Sequence, residues 1–242
     1  MVNSTWTYNH ITCLWGATDK THIVYPPCDV TEFLTVPLSD DKTKPKQILS
    51  LGQFRPEKDH PLQLKAFCKF LSTVDSSKKS EFTLVLAGSC RHEEDQARVK
   101  GLQELAKELG IEESVEFRLN IPFAELKQLL FDSMISLHTM WNEHFGICVV
   151  EGMAAGTVML AHDSGGPKLD IVVQHGNKPT GFLASDEDSY AAAMKTIFEM
   201  SSVERLEMRE NARQSISRFS EEEFETVFLL LCEPLLRQLS VN

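Results

Sequence analysis

The chain has 242 residues, with 24 Lys and Arg against 35 Asp and Glu, a formal net charge of −11; 42% of its residues are hydrophobic and 24% charged. Those proportions exclude a disordered or fibrous chain, and the acidic balance argues against a nucleic-acid partner, which wants a basic footprint. The longest strictly apolar run, Val227 to Cys232, is far below the roughly 18 residues of a membrane helix, and the first residues do not read as a signal peptide.

Residues 1–24 are mixed and aromatic. Val24-Tyr-Pro-Pro-Cys-Asp29, followed by Pro37 and Pro45 in a polar stretch, predicts a boundary or linker through Lys46. A regular alternation then begins. Short apolar runs predict strands over 48–51, 82–87, 114–117, 135–138, 158–161 and 181–184. Helical periodicity predicts helices over 61–72, 93–109, 123–131, 145–155, 187–199, 203–217 and 221–239, with Gly110 and Gly156 as stops. This order implies an α/β fold, a Rossmann-like parallel sheet with helices on both faces. Ligands in such folds bind at the carboxyl ends of the strands, so the residues after each strand carry the functional reading. The six cysteines (13, 28, 68, 90, 148 and 232) form no Cys-x-x-Cys, so a zinc site is not expected and they read as buried free thiols.

After the first strand, Arg55 and Lys58 lie three apart in a loop opened by Gly52. A guanidinium fork and an ammonium together suit a diphosphate; a solvated loop with Lys58 paired to Glu57 or Asp59 is the plainer alternative. After the second strand, Gly88 permits a close backbone approach, but neither a Walker loop nor Gly-x-Gly-x-x-Gly follows. After the fourth strand comes Glu143-His-Phe-Gly-Ile-Cys-Val-Val-Glu151. If Phe145, Gly146 and Ile147 open a helix, their amides form an anion site, with one carboxylate at its entry and a second two turns on. Either the two carboxylates grip ligand hydroxyls, or Glu143 complements the helix dipole and Glu151 is solvated. The apolar neighbours of Glu151 make a partnerless carboxylate costly there. Gly165-Gly166-Pro167 after the fifth strand either presents amides or makes a tight turn. His138 reads as a core imidazole more readily than as a sugar contact.

Together these segments resemble the C-terminal, donor-binding domain of retaining GT-B glycosyltransferases of the family-four type. The likeness rests on Glu143 and Glu151 with seven residues between, Phe145-Gly146, Ala154-Ala155-Gly156, the Gly-Gly-Pro loop, and Gly52 followed after five residues by Lys58. Within that family, Val2-Asn-Ser-Thr-Trp-Thr, Val24-Tyr-Pro-Pro-Cys-Asp, Gly52-Gln-Phe-Arg-Pro-Glu-Lys-Asp-His and Arg218-Phe-Ser-Glu-Glu-Glu-Phe-Glu look like the GDP-mannose-dependent α-1,2-mannosyltransferases that extend dolichol-linked oligosaccharide. A sugar-nucleotide epimerase of similar architecture would lack the Phe-Gly and Ala-x-Gly frame.

The resemblance implies roles and an organisation. Lys58 would neutralise the departing diphosphate, helped by Arg55, since Gln53 stands where many relatives have arginine. Glu143 would bind mannose hydroxyls, with the Phe145, Gly146 and Ile147 amides beside the sugar and phosphate. Glu151 would hold the ribose, and Gly88, Gly165 and Gly166 would line the cleft. His144 replaces a usual glycine. No metal or other cofactor is implied. Residues 1–24 would be the tail of an acceptor domain, 25–46 an interdomain linker, 47–219 the nucleotide-sugar domain, and 220–242 a helix crossing back to the first domain. The expected partners are GDP-mannose and, through an absent domain and membrane anchor, dolichol-linked oligosaccharide on the cytosolic face of the endoplasmic reticulum membrane. The chain alone would be cytosolic and transfer no mannose, and its bare apolar face over 228–236 would favour self-association. The alternative is a non-catalytic nucleotide-binding or dimerisation module.

Overall fold

A computed structural model describes residues 1–38 and 46–239. Two short helices, α1 (Thr5–Trp15) and α2 (Thr31–Leu34), come first. The sheet strands are β1 (Lys46–Leu51), β2 (Phe82–Gly88), β3 (Val115–Leu119), β4 (Ile135–Leu137), β5 (Val158–His162) and β6 (Phe182–Ala184). Between them run α3 (His60–Ser72), α4 (Glu93–Glu108), α5 (Phe123–Asp132) and α6 (Ile147–Ala155). After β6 follow α7 (Glu187–Glu199), α8 (Ser202–Ser215) and α9 (Glu221–Leu239). The strands are all parallel, in the order β3-β2-β1-β4-β5-β6. The order reverses between β1 and β4, so the loops leaving those two strands diverge and open a crevice at the carboxyl edge.

Strand periodicity of two sorts the core into two layers. Ile48, Leu84, Leu86, Ile135, Leu137 and Leu160 pack against α3, α4 and α7. Their neighbours Leu49, Val85, Ala87, Met159 and Ala161 pack against α5, α6 and α8. Gly152 lets α6 lie close on the sheet: a Cβ there would sit 2.6 Å from Met159 Cε and 2.9 Å from Ser136 Oγ.

Three expectations change. The fourth-strand loop runs to Gly146, whose φ of 111° caps α6, so the helix opens at Ile147 and not at Phe145. The helix expected over 203–217 ends at Ser215 and tightens into a 3₁₀ turn, Ile216–Phe219. The cysteines are free, yet only Cys28 and Cys90 are buried; Cys13 is exposed and the others are intermediate. Of the expected linker, 39–45 lies outside the described residues, as does 240–242 at the end of the last segment. On α9, Phe228, Leu229, Leu230 and Leu236 are exposed, the apolar face read from the sequence. Among the described residues no helix is long and apolar enough to cross a membrane.

Candidate functional site

The crevice is built by glycines that let backbones touch. A Cβ on Gly88 would fall 1.7 Å from the Gly52 carbonyl oxygen, so the loops after β1 and β2 cross only because Gly88 has no side chain. From Gly52 the chain runs to a 3₁₀ turn, Pro56–Lys58, ended by Asp59 with φ 46° as the N-cap of α3. Buried Thr139, just past β4, donates to the Lys58 carbonyl at 2.7 Å and accepts from Gln63 Nε2 at 2.7 Å. The turn after β1 is thereby fastened to β4, and Lys58 leaves it in a fixed direction.

Lys58 Nζ meets Glu143 Oε2 at 2.7 Å and Met140 Sδ at 3.2 Å. Both side chains are largely covered, 21% and 18% exposed. Neither acidic neighbour of Lys58 in sequence is its partner. The same Glu143 oxygen lies 3.3 Å from Nε2 of buried His138, whose carbonyl accepts from Tyr190 OH at 2.9 Å. Burial alone would raise the Glu143 pKa, but hydrogen bonds from His138 and Lys58 outweigh it and hold it at about 2. Burial opposes the His138 imidazolium, yet Cys148 and Glu143 beside it raise its pKa to about 9.

The loop carrying Glu143 is stitched to the one after β5. Asn142 N donates to Ser164 Oγ at 2.9 Å, and Gly166 N to the Glu143 carbonyl at 2.8 Å. A Cβ on Gly165 would lie 2.2 Å from the Glu143 oxygen, and one on Gly166 2.5 Å from the Phe145 oxygen. Gly165-Gly166 therefore acts first as a backbone contact between loops. The backbone N–H groups of Phe145, Gly146, Ile147 and Cys148 make no hydrogen bond among the described residues, leaving the α6 N-terminus with unspent donors. The Phe145 ring is buried against Tyr25 and Phe219, so only its backbone can meet a ligand.

Beyond this mouth a cleft of about 500 Å³ runs between the ends of β1 and β2 and α6, lined by Gly52, Gly88, Arg91, Asn120, Cys148 and Glu151. Burial raises the Glu151 pKa, and the carboxylate has no hydrogen-bond or ion-pair partner among the described residues. Arg55 does not join Lys58 at Glu143; it lines a neighbouring groove with Arg91, His92 and Arg98. Lys58, Glu143, Phe145, Gly146, Ile147, Gly165 and Gly166 thus converge at the mouth, Glu151 and Gly88 in the cleft, and Arg55 beside it.

Sequence reasoning passed over Thr139, Gln63, Cys148 and Asn120, and set His138 in the core. The hydroxyl of Thr139 at a strand's carboxyl end was the available signal. Asp186-Glu187-Asp188 spells a metal-binding Asp-x-Asp but is a helix start: Asp186 Oδ1 accepts from Ser189 N at 2.8 Å, and Asp188 pairs with Lys69. Among the described residues no group of three or more His, Cys, Asp or Glu is placed to hold a metal ion.

Comparison with known proteins gives the chain a family. The family model "Glycosyl transferases group 1" matches residues 38–215. The chain is 54% identical over 238 residues to the GDP-Man:Man(3)GlcNAc(2)-PP-Dol alpha-1,2-mannosyltransferase of Xenopus laevis, covering 98% of this chain and 49% of the relative. It is 56% identical over 237 residues to the Mus musculus protein of the same name, covering 98% and 48%. The chain spans about half the length of the curated relatives it matches. Among solved structures, a glycosyltransferase from Rickettsia africae ESF-5 superposes with a TM-score of 0.78 at 18% identity, over 96% of this chain and 62% of that one. Anabaena Alr3699/HepE in complex with UDP-glucose gives 0.75 at 20%, over 98% and 63%. With its six-stranded parallel sheet and the Glu143–Glu151 frame at the carboxyl edge, the chain belongs to the group 1 glycosyl transferases and has the GT-B donor-domain fold.

Proposed function

We propose that this chain is the donor-binding half of a retaining α-1,2-mannosyltransferase that moves mannose from GDP-mannose to dolichol-diphosphate-linked oligosaccharide, at the cytosolic face of the endoplasmic reticulum membrane. The observation that carries this reading is the Lys58–Glu143 pair, 2.7 Å apart beside the free amides of α6, with unpartnered Glu151 in the adjoining cleft. Glu143 neutralises Lys58. When donor enters, the diphosphate takes over Lys58 and Glu143 is released to accept from mannose hydroxyls. The Phe145, Gly146 and Ile147 N–H groups donate to the sugar and phosphate, while Gly165 and Gly166 let the two loops close around them. Glu151 accepts from the ribose diol, and Gly88 opens the cleft floor to the nucleotide. Arg55 lies outside this set, in the groove alongside, where Arg91 and Arg98 stand with Glu93, Glu94 and Asp95.

The bond to break is the one between the anomeric carbon and the diphosphate oxygen. Negative charge grows on the departing diphosphate as the sugar becomes oxocarbenium-like. A fixed ammonium and a helix N-terminus stabilise that charge without reorganising, which is where preorganised electrostatics lower a barrier. In this reading the acceptor attacks from the face the diphosphate leaves, giving retention, and no metal takes part.

Calorimetric titration of the purified chain with GDP, UDP and GDP-mannose, beside Lys58→Ala and Glu151→Ala, tests the donor half. Guanine nucleotides are expected to bind in preference to UDP, and both variants to lose that binding. A folded chain that binds no guanine nucleotide overturns the donor assignment. Transfer of labelled mannose to a dolichol-linked oligosaccharide tests the reaction itself.

A further inference from the structure

Helix α1 lies against the site with little core to hold it there: none of its residues is fully buried. Two contacts fasten it. At its N-terminus, Asp170, only 4% exposed, accepts from Thr5 N at 3.0 and 3.2 Å through its two oxygens and from Thr5 Oγ at 2.5 Å. The first turn of α1 contains no acidic residue, so Asp170 supplies from 165 residues away the negative charge a helix start favours. Tyr25 OH donates to the same carboxylate at 2.9 Å, and Arg218 donates to the Asp170 carbonyl at 2.6 Å, so Asp170 is itself held. At the next residue, the Trp6 ring stacks on His144 with centroids 4.6 Å apart and planes 15° apart, while His10 stacks on the same ring at 5.3 Å.

The two fastenings have a common address. Asp170 belongs to the turn Pro167–Ile171 that directly continues Gly165-Gly166, and His144 sits between Glu143 and Phe145. One rigid helix is therefore attached to each of the two loops that form the mouth. The His144 imidazole, next to Glu143, rests on the face of Trp6.

We propose that α1 is a positioning element of the donor site, with Trp6 and Asp170 as the pins that hold the Glu143 loop and the Gly165–Gly166 loop in register for the sugar and phosphates. This rests on the donor reading above for the ligand, but not for the effect on the loops. Releasing a pin frees loop residues that must be ordered again on binding, and that ordering cost is read as lost affinity. The loss falls on contacts made at the mouth, not on the base and ribose in the Glu151 cleft.

The test combines calorimetry with amide hydrogen exchange on the 242-residue chain, Trp6→Ala, Trp6→Phe and Asp170→Asn. Trp6→Ala and Asp170→Asn are expected to weaken GDP-mannose about tenfold and GDP by a smaller factor, since GDP keeps the phosphates and lacks the sugar, and to speed exchange over both 141–147 and 164–167. Trp6→Phe keeps a ring on His144 and restores most of the affinity. Folded variants with native affinity and native exchange overturn the proposal, as does an equal loss for GDP and GDP-mannose, the signature of a general loosening. If the native chain binds no nucleotide while both loops still exchange faster in the variants, the donor reading fails and the role of α1 in positioning the loops stands.

Discussion

Glu143, in the loop before α6, and Glu151, within that helix, face the same crevice, yet their surroundings are opposite. Around Glu143 the fold gathers an ammonium at 2.7 Å and an imidazole at 3.3 Å, and the carboxyl is held down at about 2. Around Glu151 it places a mixed cleft lined by Leu51, Gly88, Arg91, Asn120 and Cys148, and burial alone moves the carboxyl upward. The first region has satisfied its charges internally and must exchange partners to bind anything. The second has no ion pair among the described residues to give up. A half-buried carboxylate with no protein partner is one that a ligand with two adjacent hydroxyls can engage without displacing an internal contact.

Lys58→Ala should break this contrast most. It removes the cation proposed for the diphosphate and leaves Glu143 with His138 alone. Loss of a charge-assisted contact of this kind is worth about 2–3 kcal/mol, so GDP-mannose affinity should fall on the order of 30- to 100-fold by titration. An affinity within a few-fold of native would mean the diphosphate lies elsewhere. Next come the two glutamates, each changed to glutamine. Glu143→Gln should lower the melting temperature, because a covered Lys58 loses its counter-charge. Glu151→Gln should leave it unchanged or raise it, because no partner is lost and a buried charge is removed. Affinity for GDP should fall about tenfold in Glu151→Gln, the weight of one charged hydrogen bond. Equal melting shifts in the two variants would dissolve the distinction between the regions.

Much of the fold was open to reading because a parallel sheet with both faces covered writes itself as short apolar runs between amphipathic helices. Ile48 and Leu49 even show the two layers, since adjacent residues must face opposite sides. The start of α6 was misplaced because Phe145 continues an apolar helical pattern, while the feature that breaks it is the 111° φ of Gly146, which composition does not display. Lys58 and Glu143 are 85 residues apart, so their contact follows only once β1 and β4 are neighbours at the switch point. Chemistry alone matched Lys58 with Glu57 or Asp59. The motif resemblance, not the residue types, brought Lys58 and Glu143 to one site. Arg55 shows the limit of spacing: three residues from Lys58, it is turned into a different groove by the Pro56–Lys58 turn. Cysteine burial was overestimated because Cys13 sits on α1, which has no buried face.

The smallest expected effect concerns pH and the way His138 ties the mouth together. Its pKa is raised from 6.5 to about 9, with Glu143, Lys58, Cys148 and His162 as the titratable groups around it. A histidine raised in the folded state binds more protons there than in the unfolded chain. Its stabilisation is therefore fully present below about pH 6.5 and is lost as pH rises through about 9. Glu143 behaves oppositely: its contribution is present above about pH 4.5 and is lost as pH falls toward about 2. The native melting temperature should thus decline on the alkaline side, by roughly 2–4 °C for each kcal/mol lost at this chain length. His138→Gln should melt lower than native near pH 6.5 and converge with it above pH 9, since by then the native imidazole is neutral as well. Glu151→Gln also gains on native as pH rises, because burial raises the Glu151 pKa, but it starts level with native instead of below it. Parallel native and His138→Gln curves across the whole range would mean that the imidazole is not held protonated beside Glu143. The mouth would then rest on Lys58 alone.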